Sequence, residues 1–190
     1  MEFQTPRNAT HRVHVGKVPV GGGAPVSVQS MTNVPMVEGP NGPWLDVAGN
    51  LVQIERLAKA GCEIVRVAIP NRDSIARFGQ VAAASPLPVV ADVHFDYQIA
   101  MGACHEHAAG LRINPGNIGS MEKVDTVIEA AGEAGIPIRI VSMPGRSKTR
   151  WPLATISRRP RSSRSRPRAS SSISASAISM TSSSPPRPMT

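Results

Sequence analysis

Three arginines stand inside short apolar runs of this chain: Arg66 in EIVRVAI, Arg112 in LRIN and Arg139 in IPIRI. A guanidinium taken out of water without a partner is costly, and its planar fork matches the oxygens of carboxylates and phosphates two at a time. Ion pairs with Asp92 or Glu63 would satisfy part of this set, but three guanidiniums against so few interior acids leave it incomplete. The pattern therefore predicts an anion-binding site. Asp92 and His94 lie two apart in PVVADVHF, on one side of an extended segment. They are expected either to pack as a buried pair or to hydrogen-bond a hydroxyl or phosphate. Asn114 shares parity with Arg112. Asn117 follows the turn at Pro115-Gly116, as a cap or as a donor to phosphate. Gln29 shares a side with Met31 at the end of VSVQSM, and Asn33 lies just beyond. Gln29, Asn33, Arg66, Asp92, His94, Arg112, Asn114, Asn117 and Arg139 form the candidate binding set, with no catalytic and no metal-binding residue assigned.

Other reactive side chains read as structural. His105 and His107 are two apart on a helical stretch and do not share a face, so with Cys104 they imitate a metal tract only superficially. Cys62 follows Gly61 before a strand and reads as a small buried hydrophobe. His11 and His14 belong to a terminal hairpin. Trp44 and Trp151 are too isolated to form a base-stacking surface. Two cysteines in 190 residues exclude a disulfide-dense scaffold and a four-cysteine metal or iron–sulfur site within one chain.

The elements that must position these residues follow from hydrophobic periodicity. A hairpin is predicted over residues 11–20, turning at Gly16-Lys17 and leaving through Gly21-Gly22-Gly23. Inner strands are predicted at 26–31, 63–69, 88–95 and 111–114, with a fifth starting at 137–140. Helices fit the gaps: 47–60 closed by Gly61, 73–84, 97–108 closed by Gly110, and 121–134 with Ser120 as N-cap and Gly135 as terminator. Strand, loop, helix and glycine repeat four times, which requires parallel strands. No GxGxxG or Walker sequence follows the first strand, as an open nucleotide-binding sheet would favour. Polar residues inside the strands fit a barrel whose strands end at one shared face. The fold class is thus α/β, an incomplete TIM-type (β/α)8 barrel of about five of eight strands, with the N-terminal hairpin and a disordered C-terminal tail.

Composition separates the two parts. Residues 1–140 carry 11 Lys+Arg against 13 Asp+Glu, whereas residues 141–190 carry 10 Lys+Arg and no acid, so the formal net charge of +8 describes the tail. That tail holds 15 Ser, 7 Pro and 9 Arg and no sustained apolar period, too little buried area to offset chain entropy. The domains are then 1–140, the barrel part, and 141–190, the basic low-complexity tail. No apolar run is long enough to span a bilayer and the start lacks a signal-peptide core. A soluble cytoplasmic protein is expected, with neither nucleic acid nor membrane as partner.

Five segments in order, GKVPVGGGAPVSVQSMTN, GCEIVRVAIP, VVADVHFDYQIA, LRINPGNIG and IPIRI, closely resemble the 4-hydroxy-3-methylbut-2-en-1-yl diphosphate synthases of the non-mevalonate isoprenoid pathway. ADVHFDY together with LRINPGN is the most specific combination. The resemblance implies an oxidoreductase that opens 2-C-methyl-D-erythritol 2,4-cyclodiphosphate reductively to 4-hydroxy-3-methylbut-2-en-1-yl diphosphate. It implies a substrate-binding barrel and a second domain holding a [4Fe–4S] cluster through three cysteines and a glutamate, ligands absent from this chain. It further implies flavodoxin or ferredoxin as reductant and a homodimer. The nine candidate residues would then line the cavity for the cyclic diphosphate. A pterin-binding barrel begins with similar parallel units, but LRINPGN argues against it.

The resemblance stops after IPIRI, where relatives continue with sequence like GVNAGSLEK and this chain reads VSMPGRSKT. Codons for the family segment, GGT-GTC-AAT-GCC-GGG-TCG-CTC-GAA-AA, become GTG-TCA-ATG-CCG-GGT-CGC-TCG-AAA when one G is dropped. That reads Val-Ser-Met-Pro-Gly-Arg-Ser-Lys, as at residues 141–148. A frameshift after Ile140 is expected, and with it a chain inactive as a synthase. The alternatives are a diphosphate-binding fragment without redox activity and a nucleic-acid-binding protein acting through its tail. A second departure is the Gly/Pro-rich stretch at residues 34–49, about eight residues longer than the family pattern, read as a loop at the barrel mouth.

Overall fold

The computed structural model describes residues 9–40, 42–141 and the strand at 177–179. An antiparallel hairpin comes first, β1 (Val13–Val15) and β2 (Val18–Val20), paired Val13 to Val20. Its turn needs Gly16, whose φ is +55° and where a Cβ would stand 2.8 Å from Pro88. The main sheet then runs β3 (Gln29–Met31), β4 (Ile64–Ala68), β5 (Val89–Val93), β6 (Gly110–Ile113) and β7 (Ile138–Ile140), all parallel and neighbouring in chain order. Between them lie α1 (Val47–Lys59), α2 (Ile75–Ala84), α3 (Tyr97–His105), the single turn α4 (Pro115–Ile118) and α5 (Met121–Ala134).

Several boundaries differ from the sequence reading, each for a local reason. β3 is half its expected length, because the carbonyl of Val28 already serves two amides of the next strand, those of Glu63 and Ile64, and the ladder starts at Gln29. The second helix is preceded by a 3-10 turn, Arg72–Ser74, capped by Asn71, whose Oδ1 accepts from the Ser74 amide. The third helix stops at His105 and the chain reverses at His107 (φ +57°), so Gly110 opens β6 instead of closing the helix. Helix α5 has its expected bounds and ends at Gly135 in the left-handed region, φ +69°. Ser120 sits at its N-cap position without a capping hydrogen bond. It bonds the Glu122 side chain instead, which lowers that carboxyl's pKa, chiefly through this bond.

Within the tail, Ala177–Ser179 forms one further strand, β8, parallel to β7 with Ile178 opposite Arg139. Apart from Val141 and this strand, residues 141–190, and with them the expectation of a disordered tail, lie outside the described residues.

Alternation along the strands sorts their side chains into two faces. Val65, Val67, Ile69, Val89, Ala91, Val93, Leu111, Ile113 and Ile138 form one core with Ile54, Phe78, Val81, Ile99, Val124 and Val127 of the helices. On the opposite face, at the N-terminal ends of the strands, Ile64 and Val90 pack with Val15 and Val18 of the hairpin. The hairpin thereby closes that end, leaving the C-terminal ends as the open mouth.

Of the 34–49 stretch expected as a loop, residues up to the N-cap Asp46 form a folded loop and Val47 already opens α1. Val37 and Trp44 pair as an antiparallel bridge, Leu45 is buried in the helix–sheet core, and the Arg77 guanidinium lies 4.2 Å from the Trp44 ring centroid. Asn71 Nδ2 donates to the Pro43 carbonyl at 2.7 Å, and the Leu45 amide donates to Ser74 Oγ. Among the described residues no helix is long and apolar enough to cross a membrane.

Candidate functional site

The inner face of the strands carries the charged residues, and strand register lines them up. Asp92 of β5 is opposite Arg112 of β6, which is opposite Arg139 of β7. Arg66 of β4 is opposite Met31 of β3 on one side and Val90 on the other, one two-residue step below Asp92 on the same face. Paired residues in parallel strands point to the same side, so the three arginines converge.

Asp92 is the hub. Its carboxylate is buried to 1% exposure. Arg112 Nη1 donates to its Oδ1 at 2.9 Å. Arg66 Nε stands 3.2 Å from its Oδ2, an ion pair without hydrogen-bond alignment, so Arg66 Nε and Asp92 Oδ2 both remain without a hydrogen bond, as does Arg112 Nε. His94, exposed at the C-terminal end of β5, has Nδ1 3.4 Å from Arg112 Nη1 and Nε2 3.6 Å from Asp92 Oδ2. Arg66 Nη2 also donates to Met31 Sδ at 3.0 Å. The sequence reading noted Met31 without assigning it; its common parity with Gln29 was the available signal.

Arg139 is held differently. Its Nη1 donates to Gln29 Oε1 at 2.6 Å, and among the described residues it touches no carboxylate. Burial, then the charges of Arg66 and Arg112, push its pKa below the usual arginine value. The bond also reports the shape of the sheet. Gln29 is on the first inner strand and Arg139 on the fifth, four strand spacings apart, roughly 19 Å if the sheet were flat. The side chains meet only because the sheet curls into an arc of a barrel.

The structure thus brings Gln29, Arg66, Asp92, His94, Arg112 and Arg139 together. It does not bring the three asparagines. Asn33 is turned to α1, its Oδ1 accepting from Gln53 Nε2 at 2.5 Å and its amide donating to Gln53 Oε1. Asn114 caps α4 through Gly116 N. Asn117 is exposed on that turn. At the rim, Arg72 Nε lies 2.6 Å from Asp96 Oδ2, and Asp96 also caps α3.

The described residues do not fit an iron–sulfur cluster. Cys62 and Cys104 are buried, their thiols donating to the carbonyls of Ile64 and Ala100, and burial pushes Cys104 up to about 11. No group of three His, Cys, Asp or Glu among them is placed to hold a metal. What the described residues bring together is a cluster of three guanidiniums, two of them paired with one buried carboxylate and the third with an amide.

Residues 10–150 match the GcpE TIM-barrel domain family. This chain belongs to that family. The GcpE match runs ten residues past Ile140 and ends within the tail. Curated relatives include the 4-hydroxy-3-methylbut-2-en-1-yl diphosphate synthases (flavodoxin) of Acidithiobacillus ferrooxidans, 45% identical over 142 residues, and Ectopseudomonas mendocina, 48% identical over 134. These alignments take in 74% and 70% of this chain but 37% and 34% of the relatives, so the chain spans about a third of their length. Among solved structures, dihydropteroate synthase of Yersinia pestis superposes with a TM-score of 0.50 over 70% of this chain and 46% of its own, at 14% identity. That likeness to a pterin-type barrel is one of fold alone.

Proposed function

We propose that this GcpE-type chain carries the first part of the substrate-binding barrel of a 4-hydroxy-3-methylbut-2-en-1-yl diphosphate synthase, and that its arginine cluster holds the linked phosphates of the cyclic diphosphate substrate. The observation that carries the reading is the row Asp92, Arg112 and Arg139, in register across three parallel strands with Arg66 beside it. Three guanidiniums against one carboxylate, which pairs only Arg66 and Arg112, leave two positive charges uncompensated, a charge balance suited to a diphosphate.

In the family reaction a ring carbon–oxygen bond is broken with uptake of two electrons while the phosphates stay on the product. The work open to these side chains is to bind and orient. Asp92 fixes Arg66 and Arg112, and Arg139 supplies the charge that lacks a carboxylate. Asn114 and Asn117 would join only if α4 rearranged on binding, and Asn33 only if it left Gln53. The electrons belong to a [4Fe–4S] cluster and a flavodoxin or ferredoxin donor, within a cytoplasmic homodimer. The described residues take no part in that step. The tail beyond Ile140 fits a shifted reading frame of barrel sequence, so this chain binds without turning over.

Calorimetry with the cyclic diphosphate, paired with a turnover assay using reduced flavodoxin, tests both halves. Binding without product is expected. No heat at millimolar ligand would overturn the binding site, and product formation would overturn the inactivity.

A further inference from the structure

Two of the three arginines at the mouth are held by a carboxylate and the third by an amide. Arg66 and Arg112 share Asp92, whereas Arg139 Nη1 donates to Gln29 Oε1 at 2.6 Å. An amide oxygen satisfies the direction of a guanidinium N–H while supplying no countercharge. A glutamate at the same place would supply both, at the same reach. Gln29 is half-buried, on a strand with one hydrogen-bonded neighbour, and is no part of either apolar core. Its identity can therefore change without repacking the interior.

We propose that Gln29 is a positioning and specificity residue of the anion site. Its neutral amide holds Arg139 across the barrel arc while leaving that guanidinium's charge available to an incoming diphosphate. This rests on the anion-site reading above and adds what sets the charge balance. Arg139 already bears the field of two neighbouring cations, the condition in which an anion gains most by arriving and a resident carboxylate would compete most directly. A latch that mattered only for barrel shape would work better as a salt bridge. A latch that mattered for charge would fail as one.

The two alternatives separate in a titration of the full 190-residue chain with pyrophosphate, read by calorimetry, alongside thermal denaturation of the same samples. Gln29→Glu is expected to raise the denaturation midpoint yet weaken pyrophosphate binding at least about tenfold. Gln29→Met, neutral and of similar length but without the amide oxygen that holds Arg139, is expected to weaken binding about threefold or more, yet less than Gln29→Glu does. Equal or tighter binding by the glutamate variant would overturn the charge half of the inference, and unchanged binding by the methionine variant would overturn the positioning half. If the unsubstituted chain takes up no pyrophosphate at millimolar concentration, the anion-site reading itself falls, an outcome distinct from unchanged affinity in Gln29→Glu.

Discussion

The two faces of strands β3 to β7 are made by the same strands, one residue out of step, and they do opposite work. The outer face, Val65, Val67, Ala91, Val93, Leu111 and Ile113, is sealed under helices with almost no exposure. The inner face begins with Ile64 and Val90 against the hairpin and, one step toward the C-terminal ends, becomes Arg66, Asp92, Arg112 and Arg139. A strand can serve packing and ligand at once because alternation makes the two independent. A position's parity, more than its hydropathy, says which task it has.

The strongest way to break this division is to remove the residue that makes the inner face tolerable. Asp92→Ala strips Arg66 and Arg112 of their shared carboxylate, and the buried charges left behind should cost about 3–5 kcal/mol in urea denaturation. A change below 1 kcal/mol would mean that these arginines are solvated and the face is not an organised site.

The contrast sharpens when one residue from each face is compared. Phe78 is fully buried under the outer face. Phe78→Ala should lower stability by about 3–5 kcal/mol and leave pyrophosphate affinity per folded molecule unchanged. Arg139→Gln should do the reverse, losing about 1.5–3 kcal/mol of binding with stability unchanged or raised, since it removes a cation that has no carboxylate. Calorimetry and denaturation on both variants check this. If the two variants moved both quantities alike, the faces would not be independent.

A smaller effect concerns the rim. Burial alone would raise the carboxyl of Asp96, but hydrogen bonds from Arg72 and the Gln98 amide and the charges of Arg72 and Lys123 outweigh it and hold its pKa below the usual value. A carboxyl lowered in the folded state contributes stability above its unfolded pKa, near 3.9, and loses that contribution as pH falls through the lower folded value. Arg72→Ala should flatten the acid limb of the stability curve there without altering pyrophosphate affinity at neutral pH.

Parity made much of this legible in the sequence. It paired Asp92 with His94, Gln29 with Met31 and Asn114 with Arg112 within single strands, and the strand–helix repeat identified a parallel barrel arc; the register across strands came only with the structure. It failed where the chain leaves the strands. Asn33, Asn114 and Asn117 follow strand ends, where direction is set by whichever amide or helix terminus lies nearest: Gln53 takes Asn33, and α4 takes Asn114 as its cap. The 34–49 stretch reads as a Gly/Pro-rich loop, and nothing local announces that Trp44 would sit beneath Arg77 or that Leu45 would enter the core. Nor does a sequence say which arginine receives the carboxylate. That depends on sheet curvature, which brings residues 110 positions apart into one hydrogen bond.

The central claim is that the inner-face arginines converge to hold a diphosphate, and a crystal structure of the chain with pyrophosphate tests it most directly. The account predicts pyrophosphate oxygens within hydrogen-bond distance of Arg112 and Arg139, with Asp92 still pairing Arg66 and Arg112. Pyrophosphate seated away from these strands, or an inner face unchanged and empty at saturating ligand, would contradict it.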